Sequence, residues 1–197
     1  MWNNLKRTIG LNQRPNAQFA HIGLAAFDFD KMVKFYTQFF DFNVSDLKTE
    51  PPGRKAAWLT GDPNQHHQFV IVSGRPDDAK YNPVDQISFR TNSLADVKAY
   101  WRAALEENIE IQKTITHGNA WSVYIKDPEN NRVEIFADTP WHAAQPFDIK
   151  LDFNLSDEEI YQQTEEIVRN QSSTEPFVDW RKKTAKNMNL SDWPIKE

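Results

Sequence analysis

The chain has 197 residues, 39% hydrophobic and 26% charged, enough to bury a core in one domain or two small ones. It has no cysteine, which excludes disulfides, thiolate metal sites, iron–sulfur clusters and a cysteine nucleophile. A net charge of −5 gives no basic surplus for nucleic acid, no apolar run nears the ~18 residues of a membrane span, and Met1-Trp2-Asn3-Asn4 does not open a signal peptide, so a cytoplasmic protein with neither partner is expected.

Residues 1–17 are polar and read as an arm. Phe19–Ala25 is short and largely apolar, as a strand would be. Asp28 is placed to cap a helix over 29–40, whose Met32, Phe35, Tyr36 and Phe39 recur at helical spacing. Strands are expected near 42–47, 55–60 and 67–73, with Gly61-Asp62-Pro63-Asn64 turning between the last two. The order then recurs. Val84–Phe89 reads as a strand and Ser93, with Asp96 at its third position, as a cap. Leu94, Val97, Trp101, Ala104 and Leu105 make a helical stripe, and 109–115, 120–126 and 132–137 read as strands. Asp127-Pro128-Glu129-Asn130-Asn131 is the turn before the last. Residues 147–197 are different: a helix is expected over 157–170, with Ile160, Thr164 and Ile167 on one face, and a second near 176–187. This extension would wrap the core or a partner chain.

A gapless shift of 65 residues lays the second half on the first, with His21 on Gln86, Asp28 on Ser93, Tyr36 on Trp101 and Asn43 on Asn108. One βαβββ unit used twice accounts for this; two unrelated α+β stretches of similar length are the alternative.

Of five histidines, His21, His66, His67, His117 and His142, two stand out by placement. His21 is expected mid-strand, facing away from the apolar side formed by Ile22 and Leu24. Gln86 repeats this in the second unit, and Glu134 lies opposite its apolar neighbours in Val133-Glu134-Ile135-Phe136. An imidazole, an amide oxygen and a carboxylate can hold a divalent ion with positions left open. Equally, Gln86 and Glu134 are polar residues suited to the wet face of a half-buried sheet.

The segments His21-Ile22-Gly23-Leu24, Val84–Phe89 and, most specifically, Trp121–Phe136 resemble the vicinal oxygen chelate superfamily, which includes glyoxalase I, bleomycin and fosfomycin resistance proteins and extradiol catechol dioxygenases. The last segment resembles the family's S-x-Y-x-x-D-P-x-x-N-x-x-E pattern. His66-His67, His117-Gly118 and Asp138-Thr139-Pro140-Trp141 resemble single-domain extradiol relatives. The resemblance implies an α+β fold of two βαβββ modules, about 18–76 and 83–140, forming a cupped mixed sheet within a domain of 18–146, followed by a helical extension. It implies His21, Gln86 and Glu134 as metal ligands and His117 and Tyr124 as catalytic residues. Extradiol enzymes carry a histidine where this chain has Gln86, and Val70 is expected to hold the inward position of the first module's last strand, ahead of His67. The implied activity is ring cleavage of a small aromatic diol with dioxygen. Fe(II) is the favoured ion, with Mn, Zn or Ni as alternatives, and a homodimer is the expected assembly. A non-oxidative isomerase or lyase and a metal-free resistance-type binding protein are the other two readings.

Overall fold

A computed structural model describes residues 18–79, 81–171, 174–188, 190 and 194–195; the arm expected over 1–17 lies outside them. The chain divides into two compact units, residues 1–77 and 78–197.

The first unit runs β1 (Ile22–Ala26), α1 (Phe29–Phe39), β2 (Asn43–Lys48), β3 (Ala56–Thr60) and β4 (Phe69–Ser73). The Asp28 carboxylate accepts from the Lys31 amide, filling one of the donors a helix start leaves open. Met32, Tyr36 and Phe39 are buried at the expected spacing, and Tyr36 packs edge-on against Phe69 of β4. The sheet order is β1-β4-β3-β2, with β1 parallel to β4 and the other pairs antiparallel.

The second unit repeats this order with β5 (Ile87–Arg90), α2 (Leu94–Glu106), β6 (Ile111–Thr116), β7 (Ala120–Lys126) and β8 (Arg132–Asp138). Ser93 caps α2 by accepting from the Asp96 amide. The sheet again joins its first and last strands, β5 and β8, in parallel, and β10 (Ile149–Lys150) extends its far edge beyond β6. Val123, Ile125, Val133, Ile135 and Ala137 are fully buried, as is Val97 of α2, and these form the core behind the sheet. Two βαβββ units with mixed sheets thus give the α+β architecture that the sequence led one to expect.

The repeat is not gapless. It holds through the first strand and the helix start, then drifts, because α2 has 13 residues where α1 has 11. The left-handed residue that ends each helix is Asp41 in one case and Asn108 in the other, so Asn43 is not the counterpart of Asn108. The pairing recovers in the strands: Gly23 opposite Val70 matches Ser88 opposite Glu134, and Trp58 opposite Val70 matches Tyr124 opposite Glu134. Val70 therefore holds in the first sheet the place of Glu134 in the second.

Two helix faces differ from expectation. Leu105 is 54% exposed, while Lys98 is buried, its ammonium donating to the Leu155 carbonyl and to Asp157, both at 2.6 Å. The extension contributes β9 (Trp141–His142), then β10, α3 (Asp157–Arg169), β11 (Glu175–Pro176) and α4 (Phe177–Asn187). Val168, rather than Ile167, completes the buried stripe of α3 with Ile160 and Thr164. Trp121 donates its indole N–H to Thr164, so α3 docks on the second unit's own sheet. No helix among the described residues is long and apolar enough to cross a membrane.

Candidate functional site

The site begins with a turn. Asp127, almost fully buried, accepts the amides of Glu129 and Asn131 through Oδ1 and the Asn131 side-chain amide through Oδ2, while Asn130 takes a left-handed φ of 63°. This locks the β7–β8 hairpin in a register that sets Ser122 opposite Phe136 and Tyr124 opposite Glu134. Because side chains alternate along a strand, Ser122, Tyr124 and Glu134 share the face away from the Val123–Ile135 core. A slip of one residue would bury the carboxylate among branched aliphatics.

Glu134 is 6% exposed, and both its oxygens are filled from the protein. Oε1 accepts from the Ser122 hydroxyl at 2.8 Å and the Tyr124 hydroxyl at 2.7 Å. Oε2 accepts from Ser88 at 2.7 Å and from Gln86 Nε2 at 3.0 Å. Gln86 stands one residue before β5, not inside it, and so does His21 relative to β1. Four donors hold the carboxylate in one orientation, two of them, Ser122 and Tyr124, buried.

A second chain of contacts leads away from Oε1. His117 Nδ1 lies 2.7 Å from the Phe147 carbonyl and Nε2 lies 2.9 Å from the Tyr124 hydroxyl. A carbonyl only accepts, so Nδ1 carries a hydrogen. Tyr124 has one hydroxyl hydrogen, and two groups lie within its reach, Glu134 Oε1 and His117 Nε2. Burial, then the hydrogen bond to Glu134 and the charges of Glu134 and Asp148, raise the Tyr124 phenol far above its ordinary range, against a smaller opposing effect of Arg132. The hydroxyl therefore stays a donor at any physiological pH. Gly118, at φ 75°, turns the chain directly after His117; a Cβ there would stand 2.5 Å from that of Ala143. Gln86, His117, Asn119, Tyr124, Glu134 and Gln145 line a cavity of about 320 Å³.

Of the five residues singled out in the sequence, four come together here: Gln86, His117, Tyr124 and Glu134. His21 belongs to the first unit. It is exposed, and its ring lies 4.4 Å from that of His67. His67 in turn meets His66, which bonds Asp46 at 2.9 Å. Partial burial, then the neighbouring His21 and His66, lower the His67 pKa. Ser88 and Ser122 were given no role by the sequence, although the spacings Gln86-x-Ser88 and Ser122-x-Tyr124 place each on the same face as a recognised residue.

Among the described residues, no three His, Cys, Asp or Glu side chains gather at metal-binding distances. What the second unit offers is oxygen: the Glu134 carboxylate and the Gln86 amide oxygen, whose nitrogen is turned to Glu134. Such donors fit a hard divalent ion and do not by themselves select iron.

A repeated βαβββ fold with a buried, hydrogen-bonded carboxylate on one sheet face defines a class of proteins built from paired mixed sheets. The chain belongs to the Glyoxalase/Bleomycin resistance protein/Dioxygenase superfamily, whose family model matches residues 18–135. Among curated proteins none matches significantly. Among solved structures, a glyoxylase/bleomycin resistance protein/dioxygenase domain from Frankia sp. EAN1pec is 17% identical, with a TM-score of 0.53 over 64% of this chain and 100% of that one. The fosfomycin resistance protein FosX from Listeria monocytogenes, in complex with Mn(II) and sulfate, is 19% identical, with a TM-score of 0.51 over 64% of this chain and 95% of that one. A lactoylglutathione lyase from Agrobacterium tumefaciens is 17% identical, with a TM-score of 0.48 over 63% and 96%. Likeness at these identities is likeness of fold.

Proposed function

We propose that the protein is a divalent-metal enzyme of the extradiol ring-cleavage type, acting on a small aromatic diol with dioxygen as co-substrate. The observation that carries this reading is the unbroken run His117–Tyr124–Glu134 along the wall of the 320 Å³ cavity. Glu134 and the Gln86 amide oxygen would hold the ion, with His21 proposed as a further ligand. The complex of FosX with Mn(II) supports a divalent ion in this fold. When bound, such an ion polarises the substrate's oxygens and eases their deprotonation.

The chain's own groups supply the rest. Ser88, Ser122 and Tyr124 fix the direction of the Glu134 lone pairs. The Tyr124 oxygen lies between Nε2 and Oε1, so a proton arriving there can leave toward either neighbour, and the cavity wall becomes a short relay for the diol protons. In the overall reaction the carbon–carbon bond beside the diol breaks, both atoms of dioxygen enter the product, and a ring-opened semialdehyde results.

A specific observation favours a second reading. Gln86 replaces the imidazole of the extradiol pattern, and an oxygen-rich donor set suits a Lewis-acid isomerase or lyase as well as an oxygenase. Anaerobic reconstitution with Fe(II), addition of catechols, both catechol itself and 3,4-dihydroxybenzoate, and admission of air separates the two. Yellow product with oxygen uptake is expected. Iron bound without either result refutes the dioxygenase, and oxygen-independent turnover of a diol or an α-hydroxy carbonyl compound selects the second reading. Ligand binding indifferent to chelator would leave a binding protein. Loss of metal in His21→Ala is the expected result for that residue, and unchanged metal content would remove it from the ligand set.

A further inference from the structure

A second cavity, of about 530 Å³, lies in the second unit where β5 and β8 end, walled on one side by the first turns of α4. Strand alternation relates it to the site. Ser88 and Arg90 lie on one sheet face, as do Glu134, Phe136 and Asp138, with Ser88 opposite Glu134 and Arg90 opposite Phe136. Two residues of strand span about 6.6–6.8 Å. The larger cavity therefore starts one rung beyond the carboxylate, on the same face.

Its charged wall consists of Arg90, Arg181 and Asp138, two cations to one anion. Arg90 Nη1 at 2.6 Å and Arg181 Nη2 at 2.7 Å converge on the same oxygen, Asp138 Oδ2. Each guanidinium also covers an aromatic ring, Arg90 that of Phe136 at 5.0 Å and Arg181 that of Phe177 at 4.1 Å. Arg90 is tethered through one nitrogen, its side chain is 53% exposed, and the planar fork of a guanidinium matches a carboxylate in two places. A second anion beside Arg90 would relieve the repulsion between two cations brought to one oxygen. Phe177 and Val178 give the cavity an apolar wall. Arg181 and α4 lie beyond residue 135, where the family match ends, so this wall is furnished by the extension.

We propose that this cavity binds the carboxylate of an aromatic acid on Arg90, with the ring directed along the shared sheet face toward Glu134. The substrate of the site is then a ring bearing an acid group, not a neutral diol. This rests on the proposed function for the reacting end alone; the acid end rests on Arg90, Asp138 and Arg181, with Arg181 as a positioning residue that holds Asp138.

Titration calorimetry on the full chain with benzoate, its neutral isostere benzamide, inorganic phosphate and 3,4-dihydroxybenzoate tests it. Benzoate is expected to bind at least about tenfold tighter than benzamide, as a charge-assisted pair requires, and tighter than phosphate, which leaves the apolar wall bare. Arg90→Gln should erase the preference for benzoate, and Arg90→Lys should keep part of it. Equal binding of benzoate and benzamide overturns the proposal, and so does a preference that survives in Arg90→Gln. Phosphate binding as tightly as benzoate overturns the aromatic part. If benzoate behaves as expected but the two hydroxyls of 3,4-dihydroxybenzoate add no affinity in the metal-loaded protein, the acid pocket stands and the diol chemistry falls.

Discussion

Two substitutions at Glu134 separate its role in folding from its role in chemistry. Glu134→Ala removes the acceptor of four donors at once. Ser88 and Gln86 are exposed and can turn to water, but Ser122 is fully buried and Tyr124 is 4% exposed. A buried hydroxyl left without an acceptor costs about 1–3 kcal/mol. Tyr124 can redirect toward His117, so the lower half of the doubled range applies, roughly 2–4 kcal/mol in all. Glu134→Gln keeps the shape. Its carbonyl can take the place of Oε1 before Ser122 and Tyr124, and its amide can face Ser88 and Gln86, a hydroxyl and an amide that can both turn to accept. The expected cost is below about 1.5 kcal/mol, that of one altered hydrogen bond. Urea unfolding at unchanged slope should therefore place the Ala midpoint well below the Gln midpoint, while both variants lose bound metal by elemental analysis. Equal midpoints would refute the four-donor clamp, and metal retained in Glu134→Gln would refute the ligand assignment while sparing the clamp.

Tyr124→Phe deletes the hydroxyl between His117 and Glu134, and a stability loss of about 1.5–3 kcal/mol is expected, as for a hydrogen bond to a charged group. The folded phenol titrates above the unfolded one, so its contribution is complete below about pH 10 and fades as pH rises beyond that; wild-type stability should fall more steeply there than that of Tyr124→Phe, and parallel curves would count against the shift. Gly118→Ala combines a left-handed backbone with a 2.5 Å approach to Ala143, and should cost about 2–4 kcal/mol from strain and overpacking. Imidazole nitrogen NMR should report a changed His117 environment in that variant, and an unaltered spectrum would show that the turn does not set the ring's position.

What could be read from the sequence was governed by distance along the chain. The caps at Asp28 and Ser93 and the Asp127–Asn131 turn are closed by partners within four residues, so their residue types announce them. That turn also fixes register, and with period-two alternation register is enough to bring Tyr124 and Glu134 to one face. Lys98 was not legible, because its burial depends on Leu155 and Asp157, which reach it only after the extension folds back. The same holds for Arg90 and Arg181, which meet only through Asp138. The repeat misled where length changed, since two extra residues in α2 moved the left-handed residue after the helix to Asn108, whereas Val70, expected at the inward position of its strand, does hold the place of Glu134. The two sheets thus share topology but not chemistry. An apolar side chain holds the carboxylate's position in the first, opposite Trp58 where the second has Tyr124, so the hydrogen-bonded relay is a property of the second unit alone.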